Sequence, residues 1–382
     1  MLARHPFFGG VLRLLPALTL LTWAATARAG VTNPNISIVG QPFSRWTDDE
    51  GDPAARRATL DVGETEVIYD DYLNPYARGF FTLAFTPEEV GVEEAYFTLL
   101  RGLPAGLTIK GGKYRVEFGK LNPLHPHAVP FAERPRVLAA YLPGEASFNE
   151  TGLQLSGRLP SPGDWAITVS ADWLKGDSYL IDRESSGDPT DPLELGGDDR
   201  AGEPRPAGIG RLSAFVPIDD RSGLELGVSG TQGTNNVAAA TRTTVWGGDA
   251  KLKLWTSANA YLLLQAEVLS LDRENAAWDP AAASYTKSTV TPFGGYVYAD
   301  YNFDTRYNVG ASYEHFQEPT SSQATHQTFG VFAGLALLEE STAFRLDWNH
   351  SMPGSGSSFP GEVNTVTFRV IFSMGPHKAH QF

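Results

Sequence analysis

The sequence contains no cysteine. Disulfides and thiolate metal sites are therefore excluded, as is the lipidated cysteine that anchors a bacterial lipoprotein. Long apolar runs are also missing beyond the first thirty residues, where nothing approaches the ~18 residues that a membrane-spanning helix needs. Leu-rich helical stripes are absent from the same region. Basic residues are in deficit, with 30 Lys and Arg against 44 Asp and Glu and a formal net charge of −14. That balance argues against a nucleic-acid partner.

Glycine and proline are abundant, at 39 and 26 residues, beside 42% hydrophobic and 11% aromatic content. The mixture fits many strands joined by many turns. The N-terminus reads differently. Arg4 and Arg13 precede Leu14, Leu15, Leu18, Leu20 and Leu21, and Ala27-Arg28-Ala29 closes the run like a signal peptidase site. Residues 1–29 are thus expected to be an export signal. Its removal leaves 353 residues (382 minus 29), and because it carries three arginines and no acid, the charge becomes −17 (−14 minus 3).

Residues 30–382 are expected to form one all-β domain. Strands are predicted near 34–40, 64–72, 75–86, 91–101, 106–118, 150–159, 164–174 and 209–217. The second half continues near 223–232, 242–254, 258–271, 290–302, 306–316, 327–338, 342–351 and 362–374. The total of about sixteen is an even number of the kind used by single-chain outer-membrane barrels. Connections alternate in length, as such a barrel requires. Short turns fall at Asn74-Pro75, Leu103-Pro104, Ser161-Pro162, Asp219-Asp220, Thr256-Ser257, Asp304-Thr305 and Glu339-Glu340. Long pieces lie near 41–63, 119–149, 175–208, 233–241, 272–289, 317–326 and 352–361, and only the connection from Pro87 to Gly91 breaks the parity. Both termini then fall on the short-turn, periplasmic side.

Within strands the period is two. Lys113, Arg115 and Glu117 alternate with Tyr114, Val116 and Phe118. Asp249, Lys251 and Lys253 alternate with Ala250, Leu252 and Leu254, and Arg345, Asp347 and Asn349 with Phe344, Leu346 and Trp348. In a membrane barrel the apolar set faces lipid and the charged set lines an aqueous lumen. A soluble sandwich or propeller also alternates, but the consistent pairing of apolar against charged sets needs no second layer to cover the sheet. The expected fold is therefore a transmembrane antiparallel β-barrel. Lys110, Lys113, Arg115, Glu117, Arg158, Arg211, Asp249, Lys251, Lys253, Arg345, Asp347 and Arg369 are the candidate lumen-lining residues. Trp165, Trp173, Trp246, Trp255, Tyr301, Phe303, Tyr307 and Tyr313 suit the aromatic girdles at the two interfaces.

The strand LTIKGGKYRVEFGKLN, the following HPHAVPFAERPRVLAAYLPGE, the early NPNIS and the closing GPHKAHQF together resemble a known group. The chain is similar to the porin-like outer-membrane proteins often labelled zinc-regulated TonB-dependent outer-membrane receptors, neighbours of the phosphate-selective porins. The resemblance implies a Gram-negative outer-membrane location, contacts with lipid, lipopolysaccharide and the barrel-assembly machinery, and the homotrimer of porins. It implies passage of small solutes or ions, and more weakly of metal. A TonB-dependent receptor has a plugged 22-stranded barrel, and the few residues ahead of the first strand leave a plug no room. The porin-like architecture is the part expected to hold.

In porin-like barrels a long loop folds inward and narrows the channel, which makes residues 119–149 the candidate constriction. Its Lys120, His125, His127, Glu133, Arg134, Arg136 and Glu145 would set the local field, on a backbone stiffened by Pro123, Pro126, Pro130 and Pro135. His125 and His127, two apart in an extended segment, are candidate metal ligands without an evident third or fourth; His377 and His380 add two more in the tail. Residues 175–208 form an acidic extracellular segment, with Asp177, Asp182, Glu184, Asp188, Asp191, Glu194, Asp198, Asp199 and Glu203, suited to solvation or to gathering divalent cations. No serine motif accompanies His315 or His350, so no enzyme and no cofactor are expected. The last strand, with Phe368, Val370 and Phe372 outward, resembles a barrel-assembly signal, although Pro376 separates it from the terminal Phe382. The expected function is passive diffusion through an outer-membrane porin. A non-conducting binding or adhesion platform and a zinc-uptake protein are the alternatives.

Overall fold

The computed structural model describes residues 34–144, 147–181, 202–319, 321–337, 342–354, 356–357 and 361–375. Residues 1–29, expected to be an export signal, Glu145, residues 182–201 of the acidic segment, Glu339-Glu340, His377, His380 and Phe382 lie outside the described residues.

The first half carries β1 (Asn35–Gly40), β2 (Phe43–Thr47), β3 (Thr59–Asp61), β4 (Thr65–Asn74), β5 (Ala77–Phe85), β6 (Val90–Leu99), β7 (Thr108–Arg115), β8 (Asn149–Leu159) and β9 (Ala166–Leu174). The second half carries β10 (Ala207–Pro217), β11 (Gly223–Asn236), β12 (Thr241–Ser257), β13 (Ala260–Asp279), β14 (Ser284–Val290), β15 (Phe293–Phe303), β16 (Tyr307–Glu318), β17 (Ser321–Ala336), β18 (Thr342–Pro353) and β19 (Val363–Met374). All nineteen belong to one antiparallel sheet. β1 pairs with β4 on one side and with β19 on the other, which closes the ring. β2 continues the line of β1 along β19 beyond Pro42, β3 pairs on β2, and β14 pairs on the far end of β13, while β15 pairs with β13 directly. Setting aside these three extensions leaves a wall of sixteen strands (19 minus 3).

Exposure along β8 decides what solvent the wall faces. Leu153 and Leu155 are 53% and 47% exposed, while Gln154 between them is 3% exposed. In water this arrangement would strand apolar area worth ~25 cal/mol per Å²; against hydrocarbon it costs nothing. The same inversion recurs in β11, where Leu226 and Val228 are exposed and Ser229 is buried, and in β18, where Leu346 is exposed and Asp347 buried. Closure leaves no unpaired edge in the wall.

Short turns lie where expected between β4 and β5, β6 and β7, β8 and β9, β10 and β11, and β15 and β16, and that between β12 and β13 falls two residues late, at Ala258-Asn259. Asp304 and Thr305 both have φ of +54°, and Arg306 N donates to Phe303 O at 3.3 Å, the type I′ geometry that matches strand twist.

The opposite side departs from expectation. The pieces at 233–241, 272–289 and 317–326 are largely strand: β11 runs on to Asn236, β13 to Asp279, and β16 and β17 to within three residues of each other. Beyond the hydrocarbon no residue is required to be apolar, so alternation fades while the ladder continues. Segment 41–63 holds β2 and β3 for the same reason.

Candidate functional site

The β7–β8 connection is drawn together at its neck and turned into the barrel. Val116 N donates to Phe148 O at 2.9 Å, and the Asn122 side chain bridges both ends, donating to Val116 O at 2.7 Å and Phe148 O at 2.9 Å and accepting from Phe148 N at 2.9 Å. Here the phase read from the sequence is wrong. Tyr114, Val116 and Phe118 are fully buried rather than facing lipid. Tyr114 lies opposite Glu150 and donates to Asp172 at 2.7 Å, inside the barrel. Lys113 lies opposite Thr151 on the outward set and donates to Val92 O at 2.7 Å, so it does not line the lumen. β7 ends at Arg115, and the loop supplies its own apolar cover for Val116 and Phe118. Phe118 occupies space left by Gly247, where a Cβ would come within 2.6 Å of its ring.

From the neck the loop reaches several walls. Glu267 of β13, fully buried, accepts from Lys120 N at 2.7 Å, Leu121 N at 2.8 Å and Tyr296 Oη at 2.6 Å. Lys120 Nζ pairs with Glu225 of β11. Arg345 Nη2 of β18 donates to His127 O at 2.9 Å. Phe131 packs edge-on to Tyr298 of β15 and Phe332 of β17. α1 (Arg136–Tyr141) begins with Val137 N donating to Glu314 of β16 at 2.5 Å, and Tyr141 Oη donates to Gln317 O at 2.7 Å.

On the β4–β6 wall the two histidines meet carboxylates. His125 Nε2 lies 2.8 Å from Glu94 Oε2, and its Nδ1 lies 3.2 Å from both Glu66 Oε2 and Glu93 Oε2. His127 Nδ1 lies 3.2 Å from Glu66 Oε1. Arg115 bonds Glu93 through its guanidinium and Glu94 Oε1 through its backbone N at 3.0 Å. Glu93 and Glu94 both reach this cluster because the β5–β6 register slips between Thr82 and Leu83, a bulge that re-aims one side chain. Burial disfavours an imidazolium at His125, but the Glu66, Glu93 and Glu94 carboxylates outweigh it and hold its pKa well above the ordinary value. Burial, reinforced by Arg115, pushes Arg134 down to about 10.

The other expected residues are distributed as follows. Arg134 donates to Leu121 O at 2.8 Å, Glu133 lies 3.7 Å from Arg45, and Arg136 sits at the start of α1, beside a cavity lined also by Glu133, Arg134 and Asp347. Glu117 pairs with Lys110 at 2.9 Å, and Arg211 makes two bonds to Asp249, at 2.6 and 3.0 Å. Lys251 lies opposite Glu225 in the register, and Arg369 is half-buried 5.9 Å from the Phe43 ring. Arg158 is exposed at the short-turn end of β8. Trp255 shares the inward set with Lys253 and carries Arg221 3.5 Å above its ring, so it belongs to the lumen mouth and not to a lipid-facing girdle. Trp165, Trp173, Trp246, Tyr301, Phe303, Tyr307 and Tyr313 are exposed on the outer face.

Sequence reasoning missed Glu66, Glu93, Glu94, Glu267 and Glu314. The Glu93-Glu94 doublet inside an otherwise alternating strand was the available signal of a bulge.

A closed sixteen-stranded barrel with an apolar outer face, a polar inner face and an internal loop defines a porin-like outer-membrane protein, not a 22-stranded TonB-dependent receptor. No family model matches the chain. It is similar in fold to the anion-selective porin from Comamonas acidovorans (TM-score 0.59, 10% identity, 90% of this chain and 99% of that one). It is similar also to the outer membrane channel DcaP of Acinetobacter baumannii (0.55, 12%, 90% and 97%) and to a trimer form of OmpT of Vibrio cholerae (0.51, 10%, 90% and 100%). In sequence it is 30% identical over 329 residues to an uncharacterized protein of Aquifex aeolicus (strain VF5), spanning 81% of this chain and 67% of that protein. The chain belongs to the family of that Aquifex protein.

Proposed function

We propose that the protein is a passive diffusion channel of the Gram-negative outer membrane for small hydrophilic solutes or ions, with residues 119–149 as its constriction. The observation that carries this reading is the docking of that loop inside a barrel whose inward set is charged, since narrowing and lining charge are what tune a pore. Lys120, His125, His127, Glu133, Arg134, Arg136 and Glu145 are assigned to the constriction. Arg115, Glu117, Arg158, Asp249, Lys251, Lys253, Arg345, Asp347 and Arg369 are assigned to the lining on either side. Lys253 and Arg221, both beside Trp255, flank the short-turn mouth and bias entry there toward anions. No catalytic role is assigned. The OmpT trimer form supports a homotrimer, and the membrane setting supports contacts with lipopolysaccharide and the assembly machinery.

One observation favours a second reading. The loop bonds or packs against β4, β6, β11, β13, β15, β16, β17 and β18, much of the circumference, as a plug in a non-conducting binding platform would. Swelling of liposomes bearing the refolded protein separates the two. Entry of small sugars or amino acids at rates falling with solute size supports the channel, and absence of swelling with correctly folded barrel supports the plug.

A further inference from the structure

The cluster where the loop meets the β4–β6 wall gathers three carboxylates about one permanently charged partner. Glu66, Glu93 and Glu94 are buried or nearly so, against one guanidinium, Arg115, and two imidazoles. Buried carboxylates in such excess over fixed positive charge are balanced by protonated imidazoles or by a bound cation. Four side-chain atoms of the cluster have no hydrogen-bond partner: Arg115 Nε, and three that could ligate a metal, Glu66 Oε2, Glu93 Oε2 and His125 Nδ1. Glu66 is fully buried and His125 is 94% buried (6% exposed). These three atoms point at one another, all within 4.8 Å, with Nδ1 3.2 Å from each oxygen. For a tetrahedral ion with ligand bonds of ~2.0–2.2 Å the ligand–ligand edge is ~3.3–3.6 Å.

The remaining atoms of the same side chains are already held as metal ligands are held. The distal nitrogen of His125 meets Glu94 Oε2 at 2.8 Å, the other oxygen of Glu66 meets His127 at 3.2 Å, and the other oxygen of Glu93 takes the Arg115 guanidinium. A carboxylate behind a histidine fixes its tautomer and raises its basicity toward a metal. We propose that Glu66, Glu93 and His125 form a binding site for one divalent first-row transition-metal ion, which staples the internal loop to the β4–β6 wall. One nitrogen and two oxygens suit zinc or a similar borderline ion and leave a fourth position for water. His127 is a positioning residue acting through Glu66. The proposal is independent of whether the barrel conducts.

The test uses the refolded full-length mature protein, stripped with chelator and titrated with Zn²⁺ by calorimetry and with Co²⁺ by visible absorption. The expected result is one high-affinity site per barrel and the intense d–d bands of four-coordinate Co²⁺ displaced by Zn²⁺. Glu66→Gln, Glu93→Gln and His125→Gln should each weaken binding at least ~100-fold, and His127→Gln by about 10- to 100-fold, as outer-shell partners do. Heat modifiability in gels reports folding of each variant. A folded wild-type barrel that binds neither ion tightly overturns the proposal. So does binding that the folded variants retain unchanged, or a six-coordinate Co²⁺ spectrum, each of which assigns the metal to other acidic groups. Should the variants fail to fold, the wild-type stoichiometry and Co²⁺ spectrum decide alone.

Discussion

Replacing Glu267 should release the internal loop while leaving the barrel wall intact. One oxygen of this buried carboxylate accepts from Lys120 N, Leu121 N and Tyr296 Oη, and among the described residues no other acceptor meets the two loop amides. Glu267→Ala strands three buried donors, at about 1–3 kcal/mol each. Removing the carboxylate also recovers part of its desolvation cost, so a net loss of about 3–5 kcal/mol is expected, typical of breaking a buried charged network. At about 1.4 kcal/mol per factor of ten, that is roughly a hundredfold to a few thousandfold in the opening equilibrium of the loop. Glu267→Gln keeps one acceptor oxygen and should lose less than half as much. Hydrogen exchange read by mass spectrometry over residues 119–135 is the assay, with the β12–β13 ladder as internal control. Exchange in Glu267→Ala within about threefold of wild type would show that Glu267 does not anchor the loop, because no other group among the described residues could replace those three bonds.

Three further outcomes are expected. Gly247→Val places side-chain atoms where Phe118 now sits, at about 1–3 kcal/mol of overpacking, and should speed tryptic cleavage at Lys120 and Arg136 without loss of the heat-stable barrel; unchanged cleavage would remove Phe118 from that seat. Thr305→Gly relieves a left-handed φ of +54° in the β15–β16 turn and should stabilise the barrel by about 1 kcal/mol in urea unfolding, whereas a loss would contradict the type I′ assignment. Asp48 accepts from Asn364 Nδ2 at 2.9 Å and from Asn364 N at 2.5 Å, bonds that hold its pKa below the usual carboxylate range. Its contribution is therefore complete above pH ~4 and lost as pH falls through the depressed value; the gap in urea midpoint between wild type and Asp48→Leu should close over that window, and a gap independent of pH would show that the carboxylate plays no part.

Much of the wall was legible in advance, because lipid imposes a rule on every second residue and the rule survives in β8, β11, β12, β17, β18 and β19. Turn chemistry marked the short connections for an equally local reason. Legibility failed where the lipid rule stops. β2, β3, β14 and the outer ends of β11, β13 and β16 have no apolar partner to satisfy, so their residues read as loop. The segment from Lys113 to Phe118 failed for a different reason: alternation persists past the end of β7, but the internal loop covers the apolar set and inverts its meaning. His125 and His127 were visible as a pair, yet their partners come from β4 and β6, 31 to 61 residues away in sequence, and only the barrel closure and the Glu93-Glu94 bulge bring them together. Glu267 and Glu314, the loop's anchors, look in sequence like any other inward-facing acid.

The central claim is that the internal loop narrows a pore without sealing it. Single-channel current across a planar bilayer, with the reversal potential taken in a salt gradient, measures this directly. The account predicts stable unitary steps with a definite ion preference, and larger steps once Glu267→Ala releases the loop. A correctly folded, inserted barrel that stays electrically silent at all applied voltages, and opens only when the loop is released, would contradict it and make the loop a plug.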